Sequence, residues 1–432
     1  MNLLGSGHSG LRRTRLLTVL DMGSSKVVCV IARLRPLDHL QYLPGRTHRI
    51  EILGFGVQRS RGIKSGVVMD MAAAEQSVRL AVDAAEKMAG LIVDSLIVNF
   101  SSARLRSFVV HGDYDVSGRE VCLRDIRCVL ANASQKAFAL DRQIVHSVPL
   151  SYSLDSEKGI SDPLGMVGNL LGVDVHVMTA DAVPLRNLEA CINRAHISVE
   201  AMVATPFASG LSVLVEDEAR LGAACIDIGG GTTTFSVFSE GHFVHADAIA
   251  IGGNHVTLDI ARGFSMSVED AERLKVMHGS TLPGGAEDRH MISISQLADK
   301  RSEMQYPRAV LTRIVQARVE EILEMVRDRL NRSGFGHIIG KRVVLTGGGS
   351  QLTGLPETAR NILGRNVRIG RPLGVSGLPA LAKGAAFSAV VGLMIYPQTA
   401  SFEEKTFHTI GQLKTGTGGR FQRVGQWLRE SF

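Results

Sequence analysis

One stretch near the middle of the chain constrains the fold more than any other. Residues 223–238 read AACIDIGGGTTTFSVF, in which an apolar run is broken at Asp227 and resumes at Phe235 after glycines and threonines. This pattern predicts a strand, a tight turn and a second strand. Glycines lack a Cβ, so the N–H groups of the turn can approach an anion such as phosphate closely. Asp227 repels phosphate itself and suits a cation or a water that faces it. For this stretch alone, an ordinary hairpin is the alternative.

A second copy of the pattern lies near the N-terminus. Residues 16–31 read LLTVLDMGSSKVVCVI, again an apolar strand that ends at an Asp-x-Gly, here Asp21 and Gly23. Small hydroxyl residues make the turn, and Lys26 stands where an ammonium reaches a phosphate. Two such hairpins predict an internally duplicated α/β fold in which two phosphate loops face each other across a cleft.

Composition narrows the class of protein. A chain of 432 residues is longer than a single hydrophobic core usually supports, so two or more domains are expected. The formal charge of +6 is modest, and no basic patch is interleaved with aromatic residues, so nucleic acid is not a predicted partner. The five cysteines are scattered and form no C-x-x-C, which favours buried thiols in a reducing compartment. No apolar run reaches the roughly 18 residues of a membrane-spanning helix, so the chain is expected to be cytoplasmic.

Periodicity predicts the main helices. Apolar residues at helical spacing indicate helices at 72–89, 124–139, 183–195, 308–331 and 378–396. Another helix is predicted from Thr205 to about Glu216, and two more between Gly252 and His278. Residues 101–177 have a different texture, with short strands around a single helix, and are predicted to form an inserted subdomain.

The C-terminal residues are predicted to form a flexible linker followed by a short helix. Residues 397–419 are rich in glycine and threonine and are predicted to be a flexible linker. On a helical wheel the apolar residues of the final stretch fall within an arc that arginines border on both sides. This predicts a helix in the lipid headgroup plane of an anionic membrane, and the alternative is a helix that docks on its own domain. The residues concerned are Arg420, Phe421, Arg423, Val424, Trp427, Leu428, Arg429 and Phe432.

The paired loops resemble the phosphate motifs of the actin, sugar kinase and DnaK-type ATPase superfamily. That resemblance implies a nucleotide site for ATP and Mg²⁺, with Asp21 and Asp227 acting on the metal through water. The phosphate 1 motif matches Asp21, Gly23, Ser24, Ser25 and Lys26, and phosphate 2 matches Asp227, Gly229, Gly230, Gly231, Thr232 and Thr233. The adenosine motif matches Gly347, Gly348, Gly349 and Ser350. Glu272 and Lys275 match a helix that borders the purine in bacterial actins.

Within the superfamily, the chain resembles the FtsA family of cell-division proteins. The membrane-seeking tail carries this resemblance, together with Gly62-Ile-Lys-Ser-Gly66 and Val148-Pro149 with Asp162-Pro163. It implies an actin-like filament at the division site, on the cytoplasmic face of the inner membrane. There it would tether the C-terminal peptide of FtsZ and recruit later division proteins.

The resemblance also implies a division of the chain. The implied parts are a basic tail (1–15), subdomain 1A (16–100 and 178–210), the inserted 1C subdomain (101–177), subdomain 2A (211–252 and 341–375), subdomain 2B (253–340), a closing helix of 1A (376–396), the linker (397–419) and the membrane helix (420–432).

Thr205 departs from the superfamily pattern. Chaperones and MreB carry an acidic residue before the corresponding Pro-x-Ala-Ala turn, whereas Thr205 precedes Pro206 here. A neutral hydroxyl is a poor base, so the chain is predicted to be at most a slow ATPase. Two alternatives stay open: a PilM-like pilus-assembly adaptor, which needs no amphipathic C-terminus, and a small-molecule kinase, which needs a catalytic Asp in the cleft.

Overall fold

The computed structural model describes residues 14–37, 46–102, 104–138, 142–284, 289–295 and 303–399. The strands are β1 (Arg15–Met22), β2 (Lys26–Pro36), β3 (His48–Arg59), β4 (Ile63–Lys64), β5 (Val67–Val68), β6 (Ser95–Phe100), β7 (Arg106–Asp115), β8 (Gln143–Leu154), β9 (Glu157–Ile160), β10 (Leu170–Ala180), β11 (Ser198–Ala204), β12 (Ala223–Ile228), β13 (Thr233–Ser239), β14 (His242–Ile249), β15 (Met291–Ser295), β16 (Glu303–Pro307), β17 (Arg342–Thr346), β18 (Asn366–Ile369) and β19 (Val375–Ser376). The helices are α1 (Met71–Ala89), α2 (Leu123–Phe138), α3 (Ala182–Arg194), α4 (Thr205–Val213), α5 (Glu216–Leu221), α6 (Gly253–Phe264), α7 (Val268–His278), α8 (Arg308–Arg332), α9 (Leu355–Leu363) and α10 (Ser388–Thr399).

Two sheets repeat one topology, which confirms the predicted internal duplication. The first sheet has the order β11-β6-β1-β2-β3-β19, and the second has the order β14-β13-β12-β17-β18. In each, a hairpin and a third antiparallel strand are followed by two strands that pair in parallel. The sheets therefore form the two lobes of an α/β fold, with β1 and β12 at equivalent places.

Helix α1 covers one face of the first sheet. It begins after Asp70, whose side chain accepts a hydrogen bond from the N–H of Ala73, and ends at Gly90 in the left-handed region. Its buried face is made of alanine, valine and serine, so it lies very close to the strand beneath it. A Cβ on Gly56 of β3 would stand 1.9 Å from the carbonyl oxygen of Ala81. The predicted helix at 72–89 is confirmed.

The inserted segment has a sheet and a core of its own. Its strands have the order β7-β10-β8-β9, and α2 packs on them. Its buried core includes Leu130 of α2 and Leu171 and Val173 of β10. Strand β10 continues to Ala180, three residues beyond the predicted end of the segment.

The predicted start of the last helix is wrong. Residues 380–387 form two 3-10 turns, and α10 begins at Ser388 instead of 378. The carbonyl of Ala385 accepts hydrogen bonds from the N–H of Gly347 and the hydroxyl of Thr346, which holds the turns against the second sheet. At the other end, α10 includes residues 397–399, which were predicted to begin the linker.

Two other predictions differ from the described structure or lie outside it. The helix predicted from Thr205 to about Glu216 ends at Val213, and α5 begins separately at Glu216. The rest of the linker, the predicted membrane helix and the basic residues 1–13 lie outside the described residues. Among the residues that are described, no helix is long and apolar enough to cross a membrane.

Candidate nucleotide site

Two equivalent turns form the centre of the site. In the first, the N–H of Gly23 donates to the carbonyl of Lys26 at 3.1 Å, and in the second, the N–H of Gly229 donates to the carbonyl of Thr232 at 2.9 Å. Each turn therefore spans four residues between paired strands, and each follows an Asp-x-Gly. The predicted strand–turn–strand units are confirmed at both places.

The two turns lie against each other. A Cβ built on Gly230 would stand 2.3 Å from the hydroxyl oxygen of Ser25, and one built on Gly231 would stand 2.5 Å from that of Ser24. A side chain at either position would displace the facing serine. The backbone groups of the two glycines and the serine hydroxyls converge where the two lobes meet, which is the arrangement that binding of a phosphate requires.

Asp21 is buried and held by an amide. Asn99 of β6 donates to one oxygen of Asp21 at 2.5 Å, and accepts a hydrogen bond from the N–H of Met22 at 2.7 Å. Burial raises the pKa of Asp21, while the ammonium of Lys26 and the hydrogen bond from Asn99 act in the opposite direction. The carboxyl is fixed in position and poorly solvated.

Asp227 occupies the equivalent place in the second lobe. The hydroxyl of Ser209 in α4 donates to its carboxyl at 2.5 Å. Burial raises the pKa of Asp227 to about 6; the charge of Asp21 also raises it, whereas Ser209 and Lys26 lower it. Two acidic groups that influence one another in a buried place are stabilised by a cation, so this pair fits a bound metal ion or an ordered water.

Lys26 interacts electrostatically with both carboxyls and is anchored on a third segment. Its Nζ donates to the carbonyl of Ala386 at 2.6 Å and stands 4.2 Å from the ring centroid of Phe387. Burial lowers the pKa of its ammonium, while Asp21 and Asp227 raise it. The cation therefore links the first phosphate turn to the residues that precede α10.

The predicted adenosine loop approaches the same centre. Gly347 adopts a φ of +83°, and a Cβ there would stand 2.2 Å from a carboxylate oxygen of Asp227. Gly349 lies against Ile228 in the same way, and the hydroxyl of Ser350 donates to the carbonyl of Gly347 at 2.7 Å. Gly348 has more room, with the Cβ of Ala386 3.9 Å away.

The residues predicted to border the purine connect to the second turn through α6. Lys275 of α7 donates to Glu272 at 2.7 Å, to the hydroxyl of Thr257 at 2.8 Å and to the carbonyl of Gly253 at 3.1 Å. Gly253 in turn donates its N–H to the carbonyl of Gly229 at 2.9 Å. The structure therefore connects the predicted site residues through direct contacts and short runs of the chain.

Thr205 begins α4 beside this cluster. Its hydroxyl donates to the carbonyl of Phe100 at 2.9 Å, receives the amide of Asn99 at 3.1 Å and lies 2.7 Å from the hydroxyl of Ser101. The hydroxyl is thus fully engaged in buried hydrogen bonds. Its role in the described structure is to hold β6 and α4 together.

We expect Thr205→Val to lower the free energy of unfolding by about 2 kcal/mol, because the isosteric side chain removes the buried hydrogen bonds to the carbonyl of Phe100 and from the amide of Asn99. The shift in the urea midpoint at constant m-value measures this change. Thr47→Val, at an exposed threonine, is the control and should change stability little. A loss below about 0.5 kcal/mol for Thr205→Val would contradict the assigned contacts.

Two residues of the site were missed from the sequence. Asn99 interrupts the apolar strand LIVNF, and a polar residue in a buried strand was a usable signal. Ser209 gave none, because a serine within TPFASG is unremarkable until the fold brings α4 beneath Asp227. The described residues contain no cluster of three or more His, Cys, Asp or Glu side chains suited to a metal ion.

Comparison with known proteins identifies the family. The family described as "Cell division protein FtsA" matches residues 224–392, and the "SHS2 domain inserted in FTSA" matches residues 102–179. A cell division protein FtsA of Rhizobium meliloti (strain 1021) is 58% identical over the full length of both chains. The chain belongs to the FtsA family. The FtsA of Pseudomonas aeruginosa is 34% identical over 97% of this chain and 98% of its own, and that of Escherichia coli K12 is 29% identical over the same shares.

Solved structures outside the FtsA family share the fold. A chain of a PilM-PilN type IV pilus biogenesis complex superposes with a TM-score of 0.59 at 16% identity, covering 87% of this chain and 97% of its own. MreB5 of Spiroplasma citri bound to ADP gives 0.53 at 14% identity, covering 89% and 97%. The actin-like fold is confirmed. The PilM-like alternative is not favoured, because its likeness is one of fold, whereas the FtsA likeness extends over the full sequence.

Proposed function

We propose that the chain binds ATP with Mg²⁺ between its two lobes. The observation that carries this is the direct contact of two duplicated glycine and serine turns above two buried carboxyls. The N–H groups of the turns and the hydroxyls of Ser24, Ser25 and Thr232 would hold phosphate oxygens. Asp21 and Asp227 would hold water around the metal ion, which neutralises phosphate charge when bound.

The nucleotide is proposed to act mainly on conformation. Thr205 stands at the position where other members of the superfamily carry an acidic residue. Its hydroxyl is hydrogen-bonded to Phe100, Asn99 and Ser101. A neutral hydroxyl that is already hydrogen-bonded is a poor general base, so it does not activate water well. ATP would therefore fix the two lobes in one arrangement and favour a filament, with slow hydrolysis at most.

The proposed cellular role follows from membership of the FtsA family. The chain would polymerise on the cytoplasmic face of the bacterial inner membrane at the division site. There it would bind the FtsZ C-terminal peptide through subdomain 2B (253–340) and recruit later division proteins. The remaining subdomain limits are proposed as given above, with β10 assigned to the inserted subdomain up to Ala180.

Vesicle co-sedimentation with ATP and Mg²⁺ tests the membrane part of this proposal. With vesicles of mixed anionic and neutral lipids at physiological ionic strength, we expect the full chain to pellet and a chain ending at Gly419 to stay largely in solution. The elements described here end by Thr399, so the truncation leaves them intact. If both chains stayed in solution, residues 420–432 would not be the anchor, and docking of this segment on protein would be favoured.

A further inference from the structure

Arginines gather at the end of the first sheet that lies farthest from the phosphate turns. There β1 begins, β2 ends and β3 begins, with Arg15 opposite Leu34, Arg33 opposite Glu51 and Arg35 opposite Arg49. Arg15 and Asp21 are six positions apart on an extended strand, which places this end about 20 Å from the site. We call Leu16, Arg33, Arg35 and Arg49 the basic pole.

The members of the basic pole share one face of the sheet. Residues two apart on a strand, and residues directly opposite each other on antiparallel strands, point to the same side. Leu16 pairs with Arg33, and Arg35 pairs with Arg49, so all four side chains lie on that side. The opposite side at this end carries Leu34 and Ile50, which are buried in the core.

Among the residues that the structure describes, the charge of the basic pole is not balanced locally. Glu51 is the acidic side chain described on this face, and its Oε2 forms ion pairs with Arg33 at 3.6 Å and with Arg35 at 3.0 Å. Arg49 is exposed and contacts the neutral hydroxyl of Ser376 at 3.4 Å. Of the side chains described at this end of the sheet, three arginines therefore face one carboxylate, which gives them a net positive charge.

An exposed apolar side chain accompanies these arginines. Leu16 is 54% exposed, although Leu17, Val19 and Leu20 of the same strand are almost completely buried. An exposed leucine among arginines is the combination that suits the boundary between lipid headgroups and acyl chains.

The chain leaves the described structure beside the basic pole. The Oε1 of Gln398, next to the last residue of α10, accepts the N–H groups of Thr47 at 3.0 Å and His48 at 3.1 Å at the start of β3. Residues 420–432, proposed above as the membrane helix, therefore follow from this end of the subdomain. A short amphipathic helix binds a bilayer weakly, and stable attachment takes a second signal.

We propose that the basic pole is that second signal and binds the anionic phospholipid surface directly. This inference rests on the proposed membrane attachment through residues 420–432. The arginines would pair with phosphate groups of the lipid, and Leu16 would enter the headgroup layer. Contact at the pole would orient the subdomain with its phosphate turns directed away from the bilayer, since they lie at the opposite end of β1.

A pair of charge reversals tests the proposal. Arg35→Glu/Arg49→Glu changes two exposed arginines of the pole, and Arg124→Glu/Arg127→Glu makes the same change of charge on exposed positions of α2. With vesicles of phosphatidylglycerol and phosphatidylcholine in low salt, we expect the pole variant to bind about tenfold more weakly than the unchanged full-length chain. This corresponds to a loss of affinity of about fivefold or less for each arginine. The α2 variant should stay within about twofold, and the difference should shrink at about 0.5 M salt.

The shorter chain ending at Gly419 separates this proposal from that of the tail. On vesicles of pure phosphatidylglycerol in low salt, this chain should keep a weak binding that Arg35→Glu/Arg49→Glu removes. Loss of membrane binding on truncation, together with equal binding of the pole and α2 variants, would support the tail and overturn the inference about the pole. No residual binding of the shorter chain would also count against the pole.

Discussion

Asp227→Asn is expected to abolish Mg²⁺-dependent ATP binding and, at the same time, to raise the thermal stability of the free protein. The carboxyl is buried beside Asp21, and burial raises its pKa to about 6. An amide keeps the shape and can still accept the hydrogen bond from Ser209, but carries no charge to desolvate. At neutral pH the gain is about 3 kcal/mol, since each pKa unit corresponds to about 1.4 kcal/mol.

The pH dependence of stability provides a second readout for Asp227. A carboxyl whose pKa is higher in the folded than in the unfolded chain binds more protons when folded, in the window between the two values. Its contribution to stability is therefore fully present below about pH 4, declines as the pH rises towards 6, and is lost above that. The difference in unfolding free energy between Asp227→Asn and the unchanged chain should grow across this window.

Calorimetric titration with MgATP and urea unfolding between pH 4 and 8 measure both effects. Asp328→Asn, at an exposed aspartate beside Arg327, is the control and should change neither MgATP affinity nor stability appreciably. A stabilised variant that binds MgATP as well as the unchanged chain would remove Asp227 from the proposed site. A destabilised variant would contradict the assignment of a costly buried charge.

The sequence predicted the centre of this site because its signals are local. Each phosphate-type turn is complete within a few consecutive residues, and each begins with Asp-x-Gly and continues with small hydroxyl residues. The turn geometry then follows from the hairpin pairing of β1 with β2 and of β12 with β13. Duplication of the signal also predicted the duplicated sheets, because identical turns favour identical strand order.

The contacts that support the carboxyls depend on long-range packing and were not predicted. Ser209 reaches Asp227 because α4 packs under the second sheet, and Lys26 reaches Ala386 across 360 residues of chain. The start of α10 was misplaced for a similar reason. An Ala-rich run favours helix locally, but the carbonyl of Ala385 is held by Gly347 and Thr346 from the other lobe.

Gly392→Ala is expected to lower the free energy of unfolding by about 2 kcal/mol, although alanine is the better helix former. Gly392 lies in the middle of α10 where that helix crosses α4. A Cβ there would stand 1.7 Å from the carbonyl oxygen of Ala208 and 2.3 Å from its carbonyl carbon. Both atoms belong to backbone, so no side-chain rotation relieves the overlap, and the helices must separate.

Two opposing effects decide whether Gly392→Ala stabilises or destabilises the protein. Replacing glycine by alanine inside a helix contributes about 1 kcal/mol of stability through backbone entropy. Overpacking of a tight core typically costs about 1–3 kcal/mol and occasionally more, and an overlap with backbone falls at the upper end. Separation of the helices also moves Thr205 and Ser209, so the affinity for MgATP should fall together with stability.

Gly384→Ala is the matched control for Gly392→Ala. Gly384 precedes α10 in the same segment and has an ordinary φ of −78°, and a Cβ added there would have Oε1 of Gln351 as its nearest neighbour, 3.9 Å away. We expect this substitution to change the urea midpoint little, because the methyl group meets no backbone. If Gly392→Ala proved as stable as Gly384→Ala, then α10 and α4 would not approach as closely as the structure has them, and the path from α10 to Ser209 and Asp227 would lose its support.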